Sequence, residues 1–405
     1  MKIAVLGGAG KVCLGAIHDF IDNQDVEEVM LADLNISALE ERKKILESNK
    51  IKIKQIDLKD HELMVNLLYD YDVCLNGSSH HFNMKVMKAC IDSKTNYTDF
   101  GGLFHWAKEQ LTMHEEFKKA GITGIVGSGS APGIVNVMAK FGYENLDKVD
   151  SVHIKDAIVN FNMKEYDFIP PYAIETLLDE YIMNPYEFKN GEFVEKTPFS
   201  GAETINFPDP IGQQTVVNTI HSEVATMPIS FKEKGIKDVS FKLALPRIFE
   251  EKLRFIVELG LGSSNEIEVN GDPVSPRKLL AELIKEKSKA KDSKNVKHDD
   301  HKILRVEVAG EKNGKSSKYI IDSVISPYKQ WQHLSQGDFS VGFPAAVTTR
   351  ILGDNSISDK GFFASEQVIP TDIYFSELAK RDVIVESKFI QTIAEDAHDT
   401  VLTGK

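Results

Sequence analysis

The residues best suited to chemistry begin at Gly7-Gly8-Ala9-Gly10-Lys11-Val12-Cys13, a glycine-rich loop between an apolar run at residues 3–6 and a helical pattern carrying Leu14, Ile17, Phe20 and Ile21. Gly8 permits a tight turn and Gly10 lets a pyrophosphate approach the backbone, while the free N–H groups of the helix start favour its negative charge. Cys13 stands where a third small residue usually allows close helix–strand packing, so the fingerprint is imperfect. Asp33 ends the next strand about 20 residues further on, where a carboxylate binds both hydroxyls of an adenosine ribose. No Arg directly follows Asp33, and a 2'-phosphate would meet its charge unless Lys43 or another remote base intervened. The expected cofactor is therefore NAD, with NADP possible; the alternative for Asp33 is a helix cap.

These groups need a sheet to carry them. Residues 3–6, 28–33, 51–56, 73–76, 96–99 and 122–126 read as strands separated by helical patterns, which implies βαβ units and an α/β, doubly wound (Rossmann) parallel sheet. Such sheets bind ligands outside the carboxyl ends of their strands, so Asn76, Gly77, Ser78 and Gly101 are expected to line the cofactor crevice together with Gly8, Ala9, Gly10, Lys11 and Val12. Pro132 suits the first turn of the next helix, leaving N–H groups beside the nicotinamide or an anionic substrate group. After about residue 150 the segments 151–159, 239–245, 254–261, 303–308 and 317–325 alternate over longer stretches, as in a second α+β domain built on a largely antiparallel sheet. Asn270-Gly271-Asp272-Pro273 marks a hairpin turn, and the Lys- and Asp-rich tract 285–302 a solvated loop. Residues 339–352 suit a buried helix. The expected division is 1–140 for the dinucleotide, 141–335 for substrate and dimerisation, and 336–405 as a segment partly returning to the first domain.

A chain of 405 residues exceeds what one core usually organises, and 42% hydrophobic with 27% charged residues is enough for two. With 48 basic against 61 acidic residues the net charge is -13, which repels nucleic acid and anionic membranes. Cys13, Cys74 and Cys90 have no paired ligand spacing, so neither a disulfide framework nor a metal site is expected. Met1 leads straight into a strand pattern without a signal peptide, and no run approaches the ~18 apolar residues of a spanning helix, so the protein reads as cytoplasmic. The long strands of the second lobe suit a homo-oligomer, a homodimer being the simplest.

Taken in order, Gly7-Gly8-Ala9-Gly10, Asn76-Gly77-Ser78-Ser79, Asp99-Phe100-Gly101-Gly102 and Gly127-Ser128-Gly129-Ser130-Ala131-Pro132-Gly133-Ile134-Val135-Asn136 resemble the saccharopine dehydrogenase-like reductases, most closely the lysine 6-dehydrogenase branch. Residues 172–181, Asn190-Gly191-Glu192-Phe193 and Thr219-Ile220-His221-Ser222-Glu223 are similar to that family's substrate lobe in order and spacing. Cys13 departs from its usual glycine. The resemblance implies an NAD(P)-dependent enzyme acting on a C–N bond of a small amino acid. It would oxidise a primary amine of lysine or, alternatively, make or break a secondary amine of the saccharopine type. A cofactor-binding regulatory protein without catalysis is the third reading.

Amine oxidation needs a base to take a proton. His80 and His81 follow the fourth strand, with unperturbed pKa values near ~6.5 that suit proton exchange. Asp99 ends the fifth strand and is expected to face the reacting nitrogen, a helix cap being the alternative. His221 and Glu223, two apart, would share one face of a strand and hold substrate, with Tyr172 orienting it through its hydroxyl. Arg247, Arg254 and Arg305 are candidates for a substrate carboxylate.

Overall fold

The structure is a computed structural model that describes residues 1–101, 103–291 and 298–393. Gly102 and the 292–297 part of the tract expected as a loop lie outside the described residues. Strands β1 (Lys2–Leu6), β2 (Glu28–Asp33), β3 (Ile51–Gln55), β4 (Val73–Asn76), β5 (Asn96–Asp99) and β6 (Thr123–Val126) form a parallel sheet in the order β3-β2-β1-β4-β5-β6, and strand Gly361–Ala364 extends it beside β6. Covered on both faces, such a sheet needs continuous apolar strands. Ile3, Ala4, Val5 and Leu6 of β1 accordingly have no exposed surface. The strand order reverses at β1, which pairs with both β2 and β4, so the crevice expected for a ligand opens between their carboxyl ends.

Helix α1 (Cys13–Asp22) follows the glycine loop and is crossed closely by helix Gln336–Gly353. The contact depends on glycine: a Cβ on Gly15 would lie 2.5 Å from the Asp338 carbonyl oxygen, and one on Gly342 2.4 Å from that of Val12. The Arg350 guanidinium adds a 2.9 Å bond to Asp19 across the same joint. Helix Gln336–Gly353 is buried almost all round, and it links the two lobes into one contiguous apolar cluster running from Ile3 to Val383. Two independent cores, expected from length, are therefore replaced by a shared one. A second cluster fills the other face of the parallel sheet.

The second sheet has the order Glu203–Asn206, Gln213–Asn218, Asp238–Ala244, Lys148–Asn160, Asp300–Lys312, Lys315–Ile325 and Glu386–Gln391, with a hairpin of Tyr186–Lys189 and Glu192–Glu195 attached at one side. Its neighbours pair antiparallel except Asp238–Ala244 with Lys148–Asn160, which run parallel. The α/β first lobe and largely antiparallel second sheet agree with the sequence reading. Residues 254–261, expected as a strand, belong mostly to helix Arg247–Glu258. Phe249, Leu253, Ile256 and Val257 recur at three- and four-residue spacing, and burial of Phe249 and Leu253 favours that period over alternation. The charged tract likewise begins inside helix Pro276–Lys291, because Leu279, Leu280, Leu283 and Ile284 extend a helical stripe up to it. Asn270 and Gly271 form the expected hairpin turn, both with positive φ. Among the described residues no helix is long and apolar enough to cross a membrane.

Candidate active site

The glycine loop is braced from several directions. Gly8 N–H donates to Ala32 O at 3.1 Å and Gly10 N–H to Gly7 O at 2.8 Å. A Cβ on Gly7 would lie 2.7 Å from the Gly77 backbone, so the loops after β1 and β4 touch only because position 7 is glycine. Cys13 fills the remaining gap: its thiol points at Gly7 O, 3.4 Å away, and a Cβ on Gly77 would come within 2.3 Å of its sulfur. Burial pushes this thiol up to about 12, so it stays protonated. The Lys11 and Val12 amides make no hydrogen bond among the described residues and remain available to a pyrophosphate at the start of α1.

Asp33 accepts from the Ala9 amide at 3.1 Å and the Asn35 amide at 3.0 Å, so one carboxylate fixes the loop while staying half-buried. Sequence reading placed no guanidinium here. Helix Ile36–Leu46 nevertheless brings Arg42 back onto the loop, where one nitrogen donates to Gly8 O at 2.9 Å and Gly10 O at 2.7 Å. The loop and Asp33 thus fit an adenine dinucleotide, and Arg42 adds a positive charge beside them.

At the ends of β4, β5 and β6 the polar side chains mainly hold one another. Asn76 donates to Asn83 at 2.9 Å and accepts from the Ser78 hydroxyl at 2.6 Å. Asp99 is 1% exposed and accepts from four donors: Tyr97 at 2.7 Å, Gln110 at 2.6 Å, and the Gly101 and Gly127 amides at 2.9 Å each. Burial raises its pKa above the usual carboxylate value, opposed by these bonds. Asp99, expected to face a reacting nitrogen, here spends Oδ1 on the two glycine amides and Oδ2 on the Tyr97 and Gln110 side chains. Pro132 also differs from expectation. It lies two residues ahead of helix Ile134–Asn145, and its ring packs where a Cβ on Gly101 or Gly127 would come within 2.3 or 2.6 Å of it. The N-cap position belongs to Gly133, whose amide donates to the Asn136 side chain at 2.8 Å.

His80 and His81 form a short turn after β4 and contact Trp106, with ring centroids 4.4 and 5.7 Å from it. His81 is exposed. His80 turns inward, and its buried Nε2 has no hydrogen bond but lies 3.8 Å from Asp179 of the second lobe. Burial and then the neighbouring His81 hold its imidazole down to about 4, so it is neutral at pH 7.

The second lobe brings Tyr172, His221 and Glu223 together, although not on a strand. His221 follows strand Gln213–Asn218, and Glu223 opens helix Glu223–Ser230; the turn between them sets His221 Nδ1 3.1 Å from Glu223 Oε2. His221 Nε2 is 3.6 Å from Glu180 Oε1, and the Tyr172 hydroxyl donates to Glu180 Oε2. The His221 ring stacks on Phe241 at 3.6 Å between centroids. Burial works against its imidazolium, but Glu223 and Glu180 prevail and hold the pKa up to about 10. Next to them Lys302 pairs with Asp156 at 2.9 Å and donates to Ser130 of the first lobe at 2.9 Å. Glu180, Asp156 and Lys302 were not singled out from sequence. The three expected arginines are engaged elsewhere: Arg247 with Glu251, Arg254 with Glu250 and Arg305 with Asp322.

Residues 3–125 match the family model described as saccharopine dehydrogenase NADP binding domain, and residues 129–384 the one described as saccharopine dehydrogenase C-terminal domain. A carboxynorspermidine synthase of Vibrio alginolyticus is 25% identical over 393 residues, covering 90% of this chain and 91% of the relative. A carboxyaminopropylagmatine dehydrogenase of Synechocystis is 21% identical over 401 residues, covering 94% and 96%. Apo saccharopine dehydrogenase (L-Glu forming) from Saccharomyces cerevisiae shares the fold with a TM-score of 0.73 at 16% identity, over 96% of this chain and 99% of that one. With both of its lobes matched, the chain belongs to the saccharopine dehydrogenase family of nicotinamide-dependent oxidoreductases.

Proposed function

We propose that the chain makes or breaks a secondary amine, moving hydride between a nicotinamide dinucleotide and the carbon of a C=N bond. In the reductive direction RNH2 + R'CHO + NAD(P)H + H⁺ gives RNHCH2R' + NAD(P)⁺ + H2O. The observation that carries this reading is the Lys302–Ser130 bond, which sets the ionic groups of the second lobe beside the strand ends of the dinucleotide sheet. A substrate bearing both ammonium and carboxylate finds groups of either sign there. The names carboxynorspermidine synthase and carboxyaminopropylagmatine dehydrogenase each denote a polyamine skeleton carrying a carboxylate, and so support a secondary amine.

Bound dinucleotide supplies the hydride; the protein supplies orientation and electrostatics. The Lys11 and Val12 amides hold the pyrophosphate and Asp33 the ribose, giving a preference for NAD, while Arg42 lets NADP bind more weakly. Gly77, Gly101 and Pro132 shape the wall for the nicotinamide. His80, neutral at pH 7, accepts a hydrogen bond from the N–H of the protonated imine and orients it, a role that suits a depressed pKa better than proton storage.

The test is NAD(P)H oxidation with diamines, agmatine or lysine, each supplied with carboxylate-bearing aldehydes, and product identification by mass. A secondary amine is expected. Ammonia released from lysine and NAD alone, with no coupling product, would replace this reading by lysine 6-dehydrogenase activity, the other reaction implied by the sequence resemblance.

A further inference from the structure

We infer that Asp179, reaching across from the second lobe, is a positioning residue for His80: it accepts from His80 Nε2–H and so leaves the lone pair of Nδ1 turned to the cleft. The inference rests on the amine chemistry proposed above only for what that lone pair then meets.

Three elements supply the parts. His80 opens the short turn after β4, Asp179 lies in helix Ile174–Ile182 and Arg277 in the first turn of helix Pro276–Lys291. The His80 ring is wedged between His81 and Trp106, with centroids 4.2 and 4.4 Å away, which fixes its plane. Nε2 is the ring nitrogen closed off from solvent, and it has no hydrogen bond among the described residues. A buried polar atom left in that state costs about 1–3 kcal/mol, so the ring calls for a partner on this side. Asp179 Oδ2 faces it at 3.8 Å.

Asp179 is anchored from behind. Its Oδ1 accepts from Arg277 Nη1 at 2.6 Å, and Arg277 is held in turn by donating from Nε to Gly262 O at 2.8 Å. A Cβ on Gly262 would lie 2.5 Å from Ile182, so this loop is pressed onto the helix that carries Asp179. The separation of 3.8 Å is longer than a hydrogen bond, and bonds in catalytic sites are often long until ligands bind. Closure of the lobes by about 1 Å makes it.

Charge decides which form of His80 results. Uncompensated carboxylates pull an imidazole to its cation, as Glu223 and Glu180 do with His221. Arg277 cancels the charge of Asp179 and leaves an acceptor with little net field. Burial and His81 therefore prevail over Asp179, Arg277 adds to them, and His80 stays neutral. A neutral ring that donates from Nε2 presents a bare lone pair at Nδ1. That lone pair suits the N–H of a protonated imine, whereas the other tautomer would set one N–H against another.

The experiment is two-bond 1H–15N spectroscopy of the full chain saturated with NAD and labelled in its histidine rings, with His80 assigned by His80→Gln. At pH 7 the wild type should carry the His80 proton on Nε2, and Asp179→Ala should bring up the Nδ1–H form beside it. Arg277→Met, which serves if Asp179→Ala does not fold, should move the His80 titration up by about one pH unit or more. A wild-type proton on Nδ1 overturns the inference, as does a folded Asp179→Ala with unchanged tautomers or an Arg277→Met with an unmoved titration. Single-turnover hydride transfer should fall roughly 10- to 100-fold in Asp179→Ala, with NAD affinity unchanged. An unchanged transfer rate beside a shifted tautomer would remove His80 from the reaction proposed above and leave its pairing with Asp179 standing.

Discussion

Lys302 and Ser130 meet across the two lobes at 2.9 Å, and the same ammonium is paired with Asp156 at 2.9 Å. One cation thus sets the loop after β6 and compensates a buried acid. Lys302→Met should leave Asp156 stranded and cost roughly 3–5 kcal/mol of stability in denaturant unfolding. Adding Asp156→Leu should restore much of that loss. Additive losses in the double variant would show that the pair is not coupled.

Cofactor choice should follow from Asp33 and Arg42 together. Asp33→Ala removes charge-assisted bonds worth about 1.5–3 kcal/mol, so NAD affinity should fall roughly 10- to 100-fold and NADP affinity less. Arg42→Ala should weaken NADP more than NAD. An unchanged NAD/NADP ratio in both variants, measured by fluorescence titration, would remove this assignment.

Asp99→Asn puts an amide NH2 against N–H and O–H donors. Its main effect is expected on the protein rather than the chemical step: a loss of about 2–4 kcal/mol of stability, since at least one bonded donor loses its acceptor. A variant of normal stability with a slowed single-turnover hydride transfer would return Asp99 to the role of a base.

His221 should leave a pH signature. Its folded pKa of about 10 lies above the unfolded value near 6.5, so its stabilisation is fully present below that unfolded value and is lost as pH rises through the folded one. The stability gap between wild type and His221→Gln should therefore be constant below pH 6.5 and shrink toward pH 10, by on the order of a few kcal/mol. A gap that stays flat over this range, in unfolding curves taken at successive pH values, would mean that His221 is not held as a cation.

Cys13 should be inert in the folded protein, since its thiol is buried and protonated. Cys13→Ala should keep NAD affinity within about threefold, a change of under 1 kcal/mol. Alkylation of Cys13 in the native state at neutral pH, seen by peptide mass, would contradict that picture.

The parallel sheet could be read from sequence because most of its strands hold short apolar runs bounded by helical periodicity, and β2, β4 and β5 begin and end at the residues expected. Strand Gly361–Ala364 has no such local signal; four residues become a strand only by pairing with distant β6. The glycine loop and the His221–Glu223 pair were legible as motifs. Arg42 was not, since it reaches Gly8 only after a helix folds back. Asp156 did leave a trace: Val152, Ile154 and Ile158 make its strand face apolar, and an acid among them signals a buried partner. The strand reading of residues 254–261 failed because alternation over so short a span also fits a helix.

Placing Gly361–Ala364 beside β6, and helix Gln336–Gly353 against α1, has a consequence for biosynthesis. A chain emerging from the ribosome at roughly 5–20 residues per second presents β6 as a raw edge for on the order of 10–50 s before its neighbour exists. During that interval the nascent nucleotide-binding half exposes both unpaired backbone and the apolar side of α1, the conditions that recruit chaperones and seed aggregation. A nonsense mutation shortly before residue 336 would thus spare every residue of the glycine loop and still deprive it of the packing that holds it, so damage near the end of translation is felt at its beginning.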